Sequence, residues 1–302
     1  MKRWLKTGWR VEWNPGRFRG DEAFSIVIPT WNNLPFLRLC VQSIRRNSAF
    51  PHQIVLHVSD GSDGTAEWAR AEGLSFSRTE RNAGVCFGVN AARSLVKTDY
   101  IVYMNDDMYV CPGWDAALKE EIDRVGTKFF FLSATMIEPH PTNSKPVIGG
   151  QNFGTTPESF DEAGLLERFA SFEKGDWSGA TRPPNVLHRD VWDLVGGYSV
   201  EFSPGLGSDP DLSAKLWMAG VREFKGVGRS RVYHFCSKTV GRVEPNKGRR
   251  RFLEKWGMTP SAFYRYVLGK GETYAGVRSE VEEKGAFRWR LWRDGLLRRL
   301  GG

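Results

Sequence analysis

From Phe24 onward the chain alternates short β-type runs with helix-type runs, and this alternation restricts the fold more than any other feature. AFSIVIPT reads as a buried strand, and PFLRLCVQSIRRN after it carries Phe36, Leu37, Cys40, Val41 and Ile44 at helical spacing. QIVLHVSD is the next strand and is closed by the turn-rich DGSDGT, after which TAEWARAEG reads as a helix. SFSRTE, GVCFGVNAARSLVK and DYIVYM continue the pattern as strand, helix and strand, and PGWDAALKEEIDRV and KFFFLSATMI add one more of each. Strands alternating with helices of this length specify an α/β fold: a mixed, mostly parallel sheet flanked by helices. A looser Gly/Pro/Asn-rich stretch follows at 138–160, and there is no internal repeat.

Ligands on such sheets bind outside the carboxyl ends of the strands. The residues at those ends are Thr30-Trp31-Asn32, Asp60 to Asp63, Arg81-Asn82 and Asn105-Asp106-Asp107. The last set is unusual, because two adjacent carboxylates repel each other where an apolar strand stops. If the strand stays extended through Asp107, its period of two puts Asn105 and Asp107 on one side and Asp106 on the other. Mg²⁺ or Mn²⁺ would neutralise such a cluster and leave positions open for substrate phosphates. A solvated turn, with Asp capping the helix near Pro112, would use the same residues, and this decapeptide alone leaves both readings open.

A length of 302 residues with 40% hydrophobic content supports a substantial core, in one large domain or two small ones. Cys40, Cys86, Cys111 and Cys236 are spread without a CxxC pair, which fits reduced thiols in a cytoplasmic protein. The basic start MKRWLKTGWRVEWNPG is too interrupted for a signal peptide, and no stretch is long enough to span a bilayer. Net charge is +8, yet residues 238–302 alone carry sixteen Lys/Arg against seven Asp/Glu, which leaves the first 237 residues at −1. A basic tail on a neutral body suits an anionic partner: lipid headgroups, nucleic acid or a substrate diphosphate.

FSIVIPTWNN, VSDGSDGT, RNAGVCFGVNAA and YIVYMNDDMYV, in this order and spacing, resemble the donor half of family 2 glycosyltransferases, whose nucleotide-diphospho-sugar transferase fold is called GT-A. NVLHRDVWDLVGGYSVEFSPGLGSDPDLSAKLWMAG looks like the acceptor-side segment of that family, RVYHF matches the place of its metal-ligating histidine, and RRRFLEKWG is similar to a downstream sequence of some members. The resemblance covers roughly 22–258 and lies in the ordered set, since any one motif is weak. It implies an N-terminal extension (1–21), a GT-A domain (22–245) with donor and acceptor halves meeting near 137, and a basic, partly amphipathic helical region (246–302).

The resemblance also implies roles. Pro29, Thr30 and Asn32 would line the nucleobase pocket, with Asp60 on the base or ribose and Arg81 and Asn82 nearby. Asp107 would ligate Mn²⁺ or Mg²⁺, with Asn105 and Asp106 beside it and His234 completing the shell; Asp209 would be the general base, and Asp211 would position the acceptor or its loop. The implied reaction moves a sugar from a nucleoside-diphosphate sugar to a hydroxyl on a glycan, a lipid-linked saccharide or another acceptor, with inversion expected from in-line attack. Two departures stand out. Asn105 replaces a common first Asp, and Ser208 replaces a common Glu before the base, which weakens the choice between Asp209 and Asp211. SDPDL also reads as a plain helix start with Pro210 in the first turn.

Three other readings stand beside this one. A sugar-phosphate nucleotidyltransferase would carry a Gly-rich, basic phosphate loop after the first strand, and VIPTWNN has neither feature. A non-catalytic glycan- or nucleic-acid-binding protein would use the basic tail, and a catalytically dead relative would keep the fold alone. Within the tail, Lys247 and Arg249 to Arg251 are candidates to contact the diphosphate. AFRWRLWRDGLLRRL places Trp289, Trp292, Leu296 and Leu300 on one helical face, with Phe287 and Leu291 outside it. That face suits peripheral contact with an anionic membrane at its inner side, packing on the body of the enzyme, or an oligomer contact; nucleic acid is the least expected partner.

Overall fold

The computed structural model describes residues 10–237 and 246–300. Residues 1–9 and 238–245 lie outside the described residues, and with them the start of the expected extension, the boundary expected at 245 and the first basic residues of the tail.

The described chain begins with β1 (Val11–Asn14), followed by β2 (Phe24–Trp31), α1 (Leu34–Asn47), β3 (His52–Ser59), α2 (Thr65–Ala71), β4 (Ser75–Thr79), α3 (Val85–Arg93) and β5 (Tyr100–Tyr103). These are the alternating elements expected from the sequence, and β1 adds an antiparallel edge strand on β4 from within the 1–21 segment. Strands buried on both faces must be apolar throughout. Accordingly, Ile26 and Ile28 of β2 and Ile54, Leu56 and Val58 of β3 enter one core, while Val27 and Val55 enter the other. Leu37, Cys40, Val41 and Ile44 of α1 close the first core, and a Leu or Ile buried in this way contributes about 1.5–3 kcal/mol.

After β5 come β6 (Met108–Val110), α4 (Trp114–Val125), β7 (Phe130–Ile137), α5 (Glu162–Arg168), β8 (Trp177–Ser178), β9 (Asn185–His188), α6 (Arg189–Leu194), α7 (Ser208–Met218) and β10 (Glu223–His234). Ten strands form one sheet in the order β1-β4-β3-β2-β5-β9-β7-β10-β6, with β8 on β10. β2 to β5 are parallel, and β9 inserts antiparallel between β5 and β7. β10 runs parallel to β7 and antiparallel to the short β6. The sheet is therefore mixed and mostly parallel. The extended continuation through Asp107 does not form: β5 ends at Tyr103 and Asp106-Asp107 make a turn into β6, so the two carboxylates are presented by a bend and not by the two faces of a strand.

The tail elements α8 (Gly248–Trp256), α9 (Pro260–Ala262) and α10 (Gly285–Leu300) pack on the second core through Phe252 and Phe287, next to the π-helical turn Phe263–Val267. On α10, of the destinations open to the face that carries Trp289 and Trp292, packing on the body of the enzyme is not the one found. Phe287 and Leu291 pack inward, whereas Trp289 and Trp292 are 58% and 62% exposed; Leu296 is half-buried and the Leu300 side chain lies outside the described residues. Asp294 decides the orientation: it is buried, pairs with Arg290 at 3.0 Å and accepts the backbone N–H and hydroxyl of Thr259, both at 2.8 Å.

Candidate active site

The carboxyl ends of β2 and β5, the β7 and β10 ends and the start of α7 surround a cleft of about 630 Å³. Pro29 and Thr30 line it from β2, Asn82 from the turn before α3, Asn105, Asp106 and Asp107 from the β5–β6 turn, Asp209 from α7 and His234 from β10. Thr30 Oγ1 is buried without a hydrogen-bond partner among the described residues, and such a group costs free energy unless a ligand meets it. Two walls close on each other at Gly84. It has φ +78, and a Cβ there would lie 2.8 Å from Pro204 Cα, so only glycine allows the approach sealed by Val85 N–H donating to Pro204 O at 3.0 Å.

Not every expected residue reaches the cleft. Asn32 and Asp60 sit beside it in left-handed backbone (φ 45 and 66) and bond to each other, Asn32 Nδ2 donating to Asp60 Oδ2 at 2.9 Å. Asn32 Oδ1 also accepts Gly61 N–H, so this pair braces the β2 and β3 ends. Arg81 is exposed at the rim, and its carbonyl accepts the Thr79 hydroxyl at 2.8 Å. Asp211 is fully buried away from the cleft: Oδ1 accepts Trp256 Nε1–H at 2.9 Å and pairs with Lys255 at 2.9 Å, and Oδ2 accepts the Ser199 hydroxyl at 2.6 Å. It ties α8 to α7 and does not line the cleft. Among the tail cations, Arg250 pairs with Glu254 and Arg251 donates to the Glu201 carbonyl; neither these two nor Lys247 and Arg249 line the cleft.

On one side of the cleft the charges are compensated. Asp107, 5% exposed, accepts Ser237 N–H at 2.8 Å on Oδ2 and meets His234 Nε2 at 3.5 Å with Oδ1. Burial pushes its carboxyl up, but His234 and Ser237 outweigh that and hold it below the ordinary carboxylate range. The other ring nitrogen, Nδ1, lies 3.0 Å from Glu138 Oε1. Burial pushes the His234 imidazole down, yet Asp107, Cys236 and Glu138 hold it well above its ordinary value. In this state the protonated ring itself answers the two carboxylates. Once the imidazole gives up its proton, Asp107 Oδ1 and His234 Nε2 could hold a divalent ion between them. Asn105 is pinned next to them by the Tyr103 hydroxyl, which donates to its Oδ1 at 3.1 Å.

Across the cleft, Asp209 makes no ion pair within 4.0 Å among the described residues, although Lys270 and Arg182 act on it from farther off. Burial raises its carboxyl to about 6, against the opposing pull of Lys270 and Arg182. Lys270 stands over the Tyr264 ring at 3.9 Å and donates to Thr181 Oγ1 at 2.6 Å; burial and Arg182 push its ammonium down to about 7. Tyr103, Glu138, Arg182 and Cys236 line the cleft without having been singled out in the sequence. Only Cys236 had a local signal, two residues past the histidine.

Known proteins resemble this chain in sequence and in fold. The family model described as Glycosyl transferase family 2 matches residues 25–174. The "O-antigen biosynthesis protein RfbC" of Myxococcus xanthus is 25% identical over 272 residues, covering 85% of this chain and 20% of that protein. The "Uncharacterized protein y4gI" of Sinorhizobium fredii is 25% identical over 246 residues, covering 77% of this chain and 26% of that protein. The chain thus spans about a fifth to a quarter of the curated relatives it matches. Among solved structures, S. aureus TarS 1-349 in complex with UDP-GlcNAc superposes with a TM-score of 0.55 at 13% identity, covering 92% of this chain and 72% of that one. GalNAc-T7 with UDP, GalNAc and Mn²⁺ gives 0.53 at 15% identity, over 82% and 48%. These likenesses show the fold, GT-A.

Proposed function

We propose, from the premise that the chain belongs to glycosyltransferase family 2, that it transfers a sugar from a nucleoside-diphosphate sugar to a hydroxyl acceptor, with a divalent cation and with inversion. One observation carries the reading: a single cleft holds a compensated carboxylate–imidazole pair, Asp107 and His234, and a solitary carboxylate of raised proton affinity, Asp209. Thr30 and Asn82 would meet the nucleoside, with Asn32 and Asp60 keeping the pocket wall in shape. A cation bound by Asp107 and His234 would offset the negative charge that grows on the leaving diphosphate. Asp209 would take the proton from the attacking hydroxyl, and its raised value suits a base that must accept a proton near neutrality. Attack from the Asp209 side, opposite the leaving group, inverts the anomeric centre.

The bound UDP of TarS and GalNAc-T7 makes a uridine diphosphate sugar the first donor to test, and the O-antigen relative makes a saccharide hydroxyl the first acceptor class. No helix among the described residues is long and apolar enough to cross a membrane. A lipid-linked acceptor would instead be met peripherally, by Trp289 and Trp292 on the arginine-rich α10; loss of anionic-vesicle binding in a Trp289→Ala/Trp292→Ala chain checks this. The central test is thermal: UDP should raise the melting temperature only with Mn²⁺ present, by the equivalent of about 2.7 kcal/mol at a hundredfold excess over Kd. Asp107→Ala should remove the Mn²⁺ dependence. Equal stabilisation by UDP with and without Mn²⁺ would contradict the metal-dependent reading.

A further inference from the structure

Glu138, His234 and Cys236 bring a carboxylate, an imidazole and a thiol within 4.8 Å of one another. The group lies on the Nδ1 side of the His234 ring, whereas Asp107 meets Nε2. We propose that these three residues form a second metal site, selective for a thiophilic divalent ion of the Zn²⁺ or Co²⁺ kind, which shares the His234 ring with the Asp107 site.

The distances are those of a ligand set. A tetrahedral ion bonded to sulfur at ~2.3 Å, nitrogen at ~2.0–2.1 Å and oxygen at ~2.0–2.2 Å sets S···N and N···O edges of roughly 3.6 and 3.4 Å. Cys236 Sγ stands 3.5 Å from His234 Nδ1, and Glu138 Oε1 stands 3.0 Å from it. Closing the second gap takes only the change from a hydrogen bond to a coordinated edge. The backbone is committed to this arrangement. β10 ends at His234, and Cys236 occupies a left-handed conformation (φ 56) that non-glycine residues rarely adopt, with its sulfur turned back on the histidine. Glu138 is fixed one residue past β7 by donating its N–H to Ile148 O at 2.9 Å. All three side chains are half-buried and line the cleft, which gives an ion a path in; Cys40, Cys86 and Cys111 are buried.

The chemistry separates this site from the neighbouring one. Mg²⁺ and Mn²⁺ favour carboxylate oxygen, whereas a thiolate selects softer ions. An ion on Nδ1 and Sγ displaces the Nδ1 proton and the thiol proton to solvent. Nε2 then keeps its proton and donates it to Asp107, the carboxylate–histidine–metal arrangement that steadies many bound ions. The ring can serve only one ion at a time as a neutral ligand, so Zn²⁺ should displace Mn²⁺ from its histidine. The inference shares His234 with the proposed function but does not depend on transferase activity.

The test is a Co²⁺ titration of the metal-free 302-residue chain, followed by absorption. A thiolate-to-cobalt charge-transfer band should appear together with intense visible bands of four-coordinate Co²⁺. Cys236→Ser should lose the charge-transfer band and at least about tenfold in Co²⁺ affinity, while Asp107→Asn should keep the band. Absence of the band in the wild-type chain, or its persistence in Cys236→Ser, would overturn the inference. A wild-type chain that lacks the band but is stabilised by UDP and Mn²⁺ refutes this site alone, and one that shows the band without UDP-dependent stabilisation refutes the proposed function alone.

Discussion

Two acidic regions face each other across the cleft, the β5–β6 turn and the start of α7, and they treat charge in opposite ways. In the turn, Asp107 is buried yet held below the ordinary carboxylate range, because His234 and the Ser237 amide answer its charge. On α7, Asp209 is held above that range because burial outweighs the more distant pull of Lys270 and Arg182. A carboxylate kept charged by its neighbours is suited to hold something positive. One left short of neighbours is suited to pick up a proton and give it back. Both sequences read as acid-rich strand or helix ends, so composition could not separate them; the neighbours did.

The largest effect that would break this contrast is on rate. Asp209→Asn should reduce transfer by about 10²–10⁴-fold in single-turnover assays while UDP binding stays unchanged. In the wild type, kcat/KM should climb with pH and level off above about 6, as the carboxyl loses its proton; the residual activity of Asp209→Asn should lack that limb. A flat wild-type profile between pH 5 and 8, as a rough working window, would remove Asp209 from the proton transfer. The next effect sharpens the contrast by using the other carboxylate of α7. Asp211→Ala should cost about 2–4 kcal/mol in denaturant unfolding, since it takes the acceptor from the half-buried Trp256 N–H and Ser199 hydroxyl and leaves Lys255 with Glu201 as its ion-pair partner. Its catalytic loss should follow its unfolding and vanish where the variant is fully folded.

The donor half was legible because its signals are local: alternating burial writes itself into β2 and β3 as unbroken apolar runs, and polar residues appear where each run stops. Asn105 to Asp107 were found that way, although the turn that presents them was not, since four apolar residues do not say where a strand bends. The partners that tune the site are distant in sequence. Arg182, Glu138 and Lys270 reach the site from separate strand ends and loops, and no short-range pattern marks them. On α10, helical spacing left open whether the Trp289 and Trp292 face packs on the body or stays outside. Counting apolar residues at helical spacing selected Trp289 and Trp292, but the buried Asp294 with Arg290 and Thr259 turns the opposite face inward, and a paired charge is invisible to hydrophobic periodicity.

The smallest effect separates the two acidic regions by stability. A carboxyl whose folded value lies above its unfolded one binds more protons in the native state, so stability falls as pH rises between the two values. For Asp209 that window runs from its ordinary range near ~3.9 to about 6, and above it the charged group costs the fold. Asp209→Asn removes this cost but also deprives Arg182 and Lys270 of an opposing charge, leaving a net gain on the order of 1–2 kcal/mol near pH 8. Near the lower end of the window the gain should disappear. Asp107→Asn should do the reverse at neutral pH, because there the carboxylate is the answer to a charged imidazole and its loss leaves His234 with Glu138 and Cys236. Chemical denaturation of the two variants at both ends of the window measures the difference directly, and a shared sign would mean that the two carboxylates are held by the same physics after all.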